Sequence, residues 1–135
     1  MTVQLSHPEG LLEQTDYAPV ALATGSRLLL LAGQVAVTPA GRPTATDLAG
    51  QVHSALQNVA TGVTGAGGDV GDIARLTFYI VGWTQTMAEH LFAGISRAQQ
   101  AHGFSAPMPP LTVIGVQALW APDFLVEIEA TAVLP

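Results

Sequence analysis

Two acids near the C-terminus, Glu127 and Glu129, lie two residues apart in the run Phe124-Leu125-Val126-Glu127-Ile128-Glu129-Ala130-Thr131-Ala132-Val133. Side chains alternate faces along a strand. This spacing therefore puts both carboxylates on one face with Leu125 and Thr131, and Val126, Ile128, Ala130 and Ala132 on the other. Such a pair meets water, meets a cation, or does chemistry. In a sheltered cleft a carboxylate can act as a general base and take a proton from water. Glu127 is the candidate for that work, against the plainer reading of a rim carboxylate that balances Arg75 or a cation of a neighbouring copy. Glu129 suits a solvated or paired structural charge.

The other reactive side chains are few. There is no cysteine, which excludes disulfides, thiolate nucleophiles and cysteine-bound zinc. The 4 histidines, His7, His53, His90 and His102, show no metal-ligand spacing, so no metal is expected. His90 has the chemistry to bind a ligand or shuttle a proton near neutrality, or to serve as a surface or capping group. Tyr17 can donate to a ligand oxygen or pack its ring at an edge strand. Gln34 suits backbone groups at a strand end. Trp83 and Trp120 suit packing at a strand end and a turn. The chain has no lysine, and its only fixed cations are Arg27, Arg42, Arg75 and Arg97, within a net charge of −6. Four scattered cations make no track for a phosphate backbone, which argues against nucleic acid as a partner. Gly65-Ala66-Gly67-Gly68 follows a helix where a phosphate loop would precede one, and no Lys-Ser/Thr comes after it.

The elements that must position these groups can be read from periodicity. Residues 1–15 form an arm or a short edge strand. A strand over Tyr17–Ala23, weakened at Pro19, turns at Thr24-Gly25-Ser26 into the nearly continuous apolar run Arg27–Val37. The pair reads as a hairpin whose second strand is central and covered on both faces. After the loop Thr38–Pro43, Thr44 or Thr46 can cap a helix, with Asp47 favouring its positive end. That helix carries the stripe Leu48, Val52, Leu56, Val59 and Val63. Asp72–Val81 is a third strand rich in β-branched and aromatic residues. A second helix from Thr84 to about Ala101 buries Met87, Leu91, Ile95 and Ala98. Pro107, Pro109 and Pro110 then lead into a closing hairpin, Leu111–Val116 and Phe124–Val133.

The order β-β-α-β-α-β-β predicts an α+β fold, one mixed sheet with two helices packed on one face. At 135 residues the chain is a single domain. Its 49% apolar and 10% charged composition predicts that part of the surface, the opposite sheet face, is hidden in an oligomer. The longest apolar run, Leu28 to Gly33, is far short of the roughly 20 residues that span a bilayer. The N-terminus lacks a signal pattern, so a soluble cytoplasmic protein without a membrane partner is expected.

Several phrases in this order are similar to one known family. Gly33-Gln34-Val35-Ala36-Val37 after an apolar strand, Leu56-Gln57-Asn58-Val59 in the first helix, Gly71-Asp72-Ile73 opening the third strand and Val126–Val133 at the end resemble the RidA (YjgF-like) reactive-intermediate imine deaminases. The resemblance covers about Tyr17 to Val133. It implies a chorismate-mutase-like fold and a homotrimer with sheets facing inward, with small-molecule pockets in the clefts between subunits. It also implies hydrolysis of 2-imino acids to 2-keto acids and ammonia without metal or cofactor. By that resemblance the acid that activates water falls on Glu127. The arginine that grips the substrate carboxylate falls on Leu111, a pocket serine on Ala32, an asparagine of the second helix on His90, a cysteine of the fourth strand on Val113, and the pocket tyrosine on Tyr17 or, one position displaced, Ala18.

Leu111 is the consequential departure. Charge-assisted hydrogen bonds from a guanidinium to a carboxylate contribute about 1.5–3 kcal/mol each. Leucine has no donor, so an imino acid would leave its carboxylate desolvated beside apolar atoms. Two readings follow: an imine or enamine hydrolase whose substrate is not a simple 2-imino acid, and a non-catalytic trimer that binds a small metabolite in the same clefts. Chorismate mutase activity is disfavoured, because four scattered arginines poorly suit a dicarboxylate.

Overall fold

The computed structural model describes residues 2–135. Elements follow in the order β1 (Val3–Ser6), β2 (Val20–Ala23), β3 (Arg27–Gln34), α1 (Leu48–Gly65), β4 (Ile73–Val81), α2 (Ala88–His102), β5 (Leu111–Val116) and β6 (Val126–Leu134). Strands β3, β6, β4 and β5 lie side by side in that order in a mixed four-stranded sheet, with β4 and β5 parallel and β6 antiparallel to both neighbours. Both helices pack on one face of it, the α+β arrangement expected.

The apolar stripes explain the packing. Val52, Leu56, Val59 and Val63 of α1 are fully buried, as is Ala98 of α2, with Leu91 and Ile95 nearly so. They meet Leu76, Phe78 and Ile80 of β4 and Val126, Ile128, Ala130 and Ala132 of β6 in one core. Burying a Val or Leu side chain stabilises by about 1.5–3 kcal/mol. Four such residues outweigh the roughly 1 kcal/mol that each helix-interior glycine costs. At the crossing of the helices glycine is a steric requirement: a Cβ on Gly94 would lie 2.5 Å from the Ala49 carbonyl oxygen and 2.7 Å from Val52 Cβ.

Three expectations are corrected. The hairpin of Tyr17–Ala23 with Arg27–Val37 does not form. β2 pairs instead with the N-terminal arm, Val3 opposite Ala23, in a separate two-stranded ribbon, and β3 is an edge strand rather than a central one. The apolar run misled because Leu28 and Leu30, exposed by 66% and 69%, lie on the sheet face away from the helices. An uninterrupted run does not say whether its second face is covered from within the chain. The closing hairpin is also absent: β6 inserts between β3 and β4, and residues 117–125 carry the chain past β4 to reach it. Finally, the cap of α1 is Asp47 itself, whose carboxylate accepts the Gly50 N–H, in place of Thr44 or Thr46.

Candidate functional site

β6 is the central strand that bears both acids, and its burial alternates strictly, with Val126, Ile128, Ala130 and Ala132 buried against the helices and Glu127, Glu129 and Thr131 half-buried on the open face. Across the ladder, Tyr79 of β4 lies opposite Glu127, Thr77 opposite Glu129 and Arg75 opposite Thr131. The Tyr79 phenol donates to Glu129 at 2.6 Å. That hydrogen bond, then desolvation and the charges of Glu129 and Glu127, raises the Tyr79 pKa above its usual 10, with Arg75 opposing weakly. Glu129 is thus a paired charge. Arg75 does not pair with Glu127: its guanidinium donates to the Thr112 hydroxyl at 3.0 Å, at the level of Thr77, two residues of strand or about 7 Å from the level of Tyr79.

A β-bulge shapes the surroundings of Glu127. Leu31 pairs with Ala130 and Gln34 with Ile128, so Ala32 and Gly33 together oppose Glu129. The extra residue bends the edge strand, as bulges do where a side chain must be aimed. The Glu127 side chain lies directly over Gly33, and a Cβ there would come within 2.5 Å of Oε2 and 2.6 Å of Cγ. Gln34 donates to the Ala32 carbonyl at 3.0 Å, which ties the bulge and fits the backbone role expected of it. Ala32 is exposed at its crest.

Leu111 and Val113 of β5 face the other way, toward α2. In register with Leu76 and Phe78, they pack against the core and, with Tyr17, Trp83, Ala88, Leu91, Phe92 and Thr112, line a cavity of about 370 Å³. Gly82, at φ +63°, turns the chain after β4, and its N–H donates to the Val116 carbonyl at 3.0 Å. The turn lays Trp83 across Gly115, where a Cβ would stand 3.1 Å from the Trp83 Cβ. Tyr17 is held by a parallel bridge to Met108 and by Gln14, whose amide donates to the Tyr17 carbonyl at 2.8 Å. Its ring also borders a second cavity of about 370 Å³ between the arm and Ser105–Pro107.

Within one chain the candidates therefore fall into two groups: Glu127 and Ala32 at the bulge on the open face, with Gln34 closing the bulge in register with Ile128, and Tyr17, Leu111 and Val113 in the cavity under α2. His90 belongs to neither, being exposed on the first turn of α2 outside the cavity lining. Among the described residues no group of three or more His, Cys, Asp or Glu could hold a metal ion. Among the described residues, likewise, no helix is long and apolar enough to cross a membrane.

Two positioning residues escape a reading of the helix stripes. Gln51 of α1, only 2% exposed, donates to the carbonyls of Ala45 at 3.2 Å and Asp123 at 2.8 Å, and accepts the Leu125 N–H at 2.9 Å. It thereby fixes the chain two residues before Glu127. Asn58 donates to the carbonyls of Val35 and Val37 at 2.8 and 3.1 Å and anchors the segment after the bulge. A polar residue amid an apolar stripe was the available signal, since a buried amide must find partners.

The profile of the endoribonuclease L-PSP family matches residues 11–134. Among solved structures, the chain is similar to the Yersinia pestis protein YyfB of the conserved Rid family, a protein of unknown function. The two are 30% identical over 99% of this chain and 100% of that one, with a TM-score of 0.85. Escherichia coli TdcF, solved with bound serine, is 29% identical over 90% of this chain and 97% of its own, TM-score 0.68. The Escherichia coli YjgF gene product is 26% identical over 96% and 92%, TM-score 0.68. No curated protein matches by sequence.

Proposed function

The chain belongs to the endoribonuclease L-PSP family, among the Rid and YjgF proteins, and from that premise we propose that it hydrolyses a small imine or enamine, releasing ammonia. The observation that carries the reading is Glu127: a half-buried carboxylate lying over a glycine at a bulge, while its neighbour Glu129 is engaged by Tyr79. Glu127 takes a proton from water as the water oxygen bonds to the imine carbon. The proton passes to nitrogen to give a carbinolamine, the remaining hydroxyl proton follows to nitrogen by way of the same carboxylate as the C–N bond breaks, and a carbonyl compound and ammonia leave. No metal or cofactor takes part in this scheme.

Glu127 and the cavity under α2 lie on opposite faces of one sheet, so a complete site requires two copies. The open face carries exposed Leu28 and Leu30, with Ile114 exposed by 41%, and apolar surface of this kind favours burial against another copy. In the proposed homotrimer open faces pack inward, and Glu127 of one copy meets the Tyr17–Leu111–Val113 cavity of the next, with His90 at the rim. The small-molecule ligand sits between them. TdcF with its bound serine shows a small amino acid held by a relative.

One feature favours a second, non-catalytic reading. Leu111 and Val113 stand where the resemblance implies an arginine and a cysteine, and neither can engage a polar ligand. Turnover decides between the two. Multiple turnovers of an imine panel that includes uncharged members, lost in Glu127→Gln, are expected. Decay no faster than in buffer for every imine would leave only the binding reading standing.

A further inference from the structure

From the lining of the cavity under α2, we infer that the site takes an uncharged ligand bearing an aromatic or branched apolar group, and that Trp83, Phe92 and Leu111 select it. The inference rests on the reading above for the chemistry at the imine carbon, and on the cavity alone for the substrate class. Its walls are three rings, Tyr17, Trp83 and Phe92, and the aliphatic side chains of Ala88, Leu91, Leu111 and Val113. The polar side-chain groups of the lining residues are the Tyr17 phenol, the Trp83 indole N–H and the Thr112 hydroxyl, all uncharged, and Thr112 already accepts from Arg75. No charged residue lines it.

The arginines are committed elsewhere in the chain. Arg27, at the far end of β3, donates toward the Pro135 carbonyl. Arg75 stays on the open face with Thr112. Arg97 lies on the outer part of α2, near enough to His53 to lower its pKa, while Arg42 belongs to the loop held by Thr38. A carboxylate entering this cavity would give up water and find no charged donor among the lining residues. A ring would find faces and edges for offset or edge-on packing. At about 370 Å³ the space falls in the range of small-ligand pockets, roughly 300–1,000 Å³.

The walls are also built on the backbone. Trp83 can lie where it does because Gly115 has no side chain and Gly82 adopts a left-handed conformation. Leu111 and Val113 are fixed by the parallel ladder to Leu76 and Phe78. Selection by such a wall does not wait on a loop to close.

The test compares two probes that share a ring and differ in charge: acetophenone, the carbonyl product of a neutral aryl imine, and phenylpyruvate, that of an aromatic imino acid. Titrations of the purified full chain follow the Trp83 indole N–H by NMR, assigned with Trp83→Phe. Acetophenone should shift that resonance saturably and bind at least ten-fold more tightly than phenylpyruvate. Leu111→Arg should reverse the order. Phe92→Ala, which introduces no buried charge, should weaken acetophenone at least five-fold and serves if the arginine variant does not fold. Phenylpyruvate binding as tightly as acetophenone, or a Trp83 signal indifferent to acetophenone, overturns the inference. Turnover by the wild type separates it from the catalytic reading: the preference for acetophenone in a wild type that turns over no imine sinks only the latter.

Discussion

Replacing Gly33 by alanine tests whether the bulge exists to seat Glu127. An added Cβ would stand 2.5 Å from Oε2, 2.6 Å from Cδ and 2.6 Å from Cγ of that residue. Carbon atoms rest at about 3.5–4.0 Å, so the side chain must retreat by about 1 Å. Because Cγ is as close as the carboxylate, swinging the tip does not relieve the clash. The whole side chain must leave its rotamer, and an off-rotamer χ angle alone costs about 0.5–1.5 kcal/mol. A misplacement of 1 Å at a reacting group can cost about 10²-fold in rate, equivalent to about 2.7 kcal/mol of barrier. Ammonia release from acetophenone imine, followed by a coupled dehydrogenase assay, should therefore fall about a hundred-fold in Gly33→Ala, approaching Glu127→Gln. The thermal midpoint should fall by only the few degrees that this rotamer cost implies, since β3 is an edge strand and alanine is no worse than glycine for its backbone. Activity within two-fold of wild type, in a variant whose Glu127 carboxyl 13C shift has moved, would refute the link between seating and catalysis.

Two further outcomes follow from the positioning groups and the helix pair. Gln51→Leu should lower stability by about 1–3 kcal/mol in urea unfolding, because the Ala45 and Asp123 carbonyls and the Leu125 N–H all lose their partner, and amide exchange at Leu125 should accelerate. Unchanged exchange there would show that the turn before β6 holds itself. His53 stacks on His102 with ring centroids 5.4 Å apart, and desolvation, then the charges of His102 and Arg97, lowers its pKa below 6.5. The unfolded chain then binds the proton more readily. The stability this contributes is present above pH 6.5 and is lost as pH falls through the folded value. The slope of stability against pH on the acid side should shrink in His53→Phe, and an unchanged slope would assign it to other groups.

Much of the frame was legible without coordinates. The stripe Val52, Leu56, Val59 and Val63 and the alternation from Val126 to Ala132 each state which face is buried, because one period fits a helix and the other a strand. The two helices, the five strands after the arm and the common face of Glu127 and Glu129 all follow from those periods. For Glu129 the sequence left a solvated or a paired charge open, and its hydrogen-bond partner Tyr79, fifty residues away in sequence, was not legible. Pattern is a property of a segment, and a partner is a property of the fold.

Strand order, by contrast, belonged to the tertiary structure alone. Leu28 and Leu30 look the same in sequence whether covered by their own chain or left open, and residues 117–125 read equally as a turn or a crossover. Only the assembled sheet puts β6 in the centre, sends Leu111 and Val113 under α2 and leaves Glu127 on the opposite face. The seat on Gly33 arises there too, since it depends on a two-against-one register between strands nearly a hundred residues apart. Local side-chain preferences determine which stretches become helix or strand and which side is apolar. Which strands meet, and hence which groups share a site, is settled by long-range burial that no single stretch records.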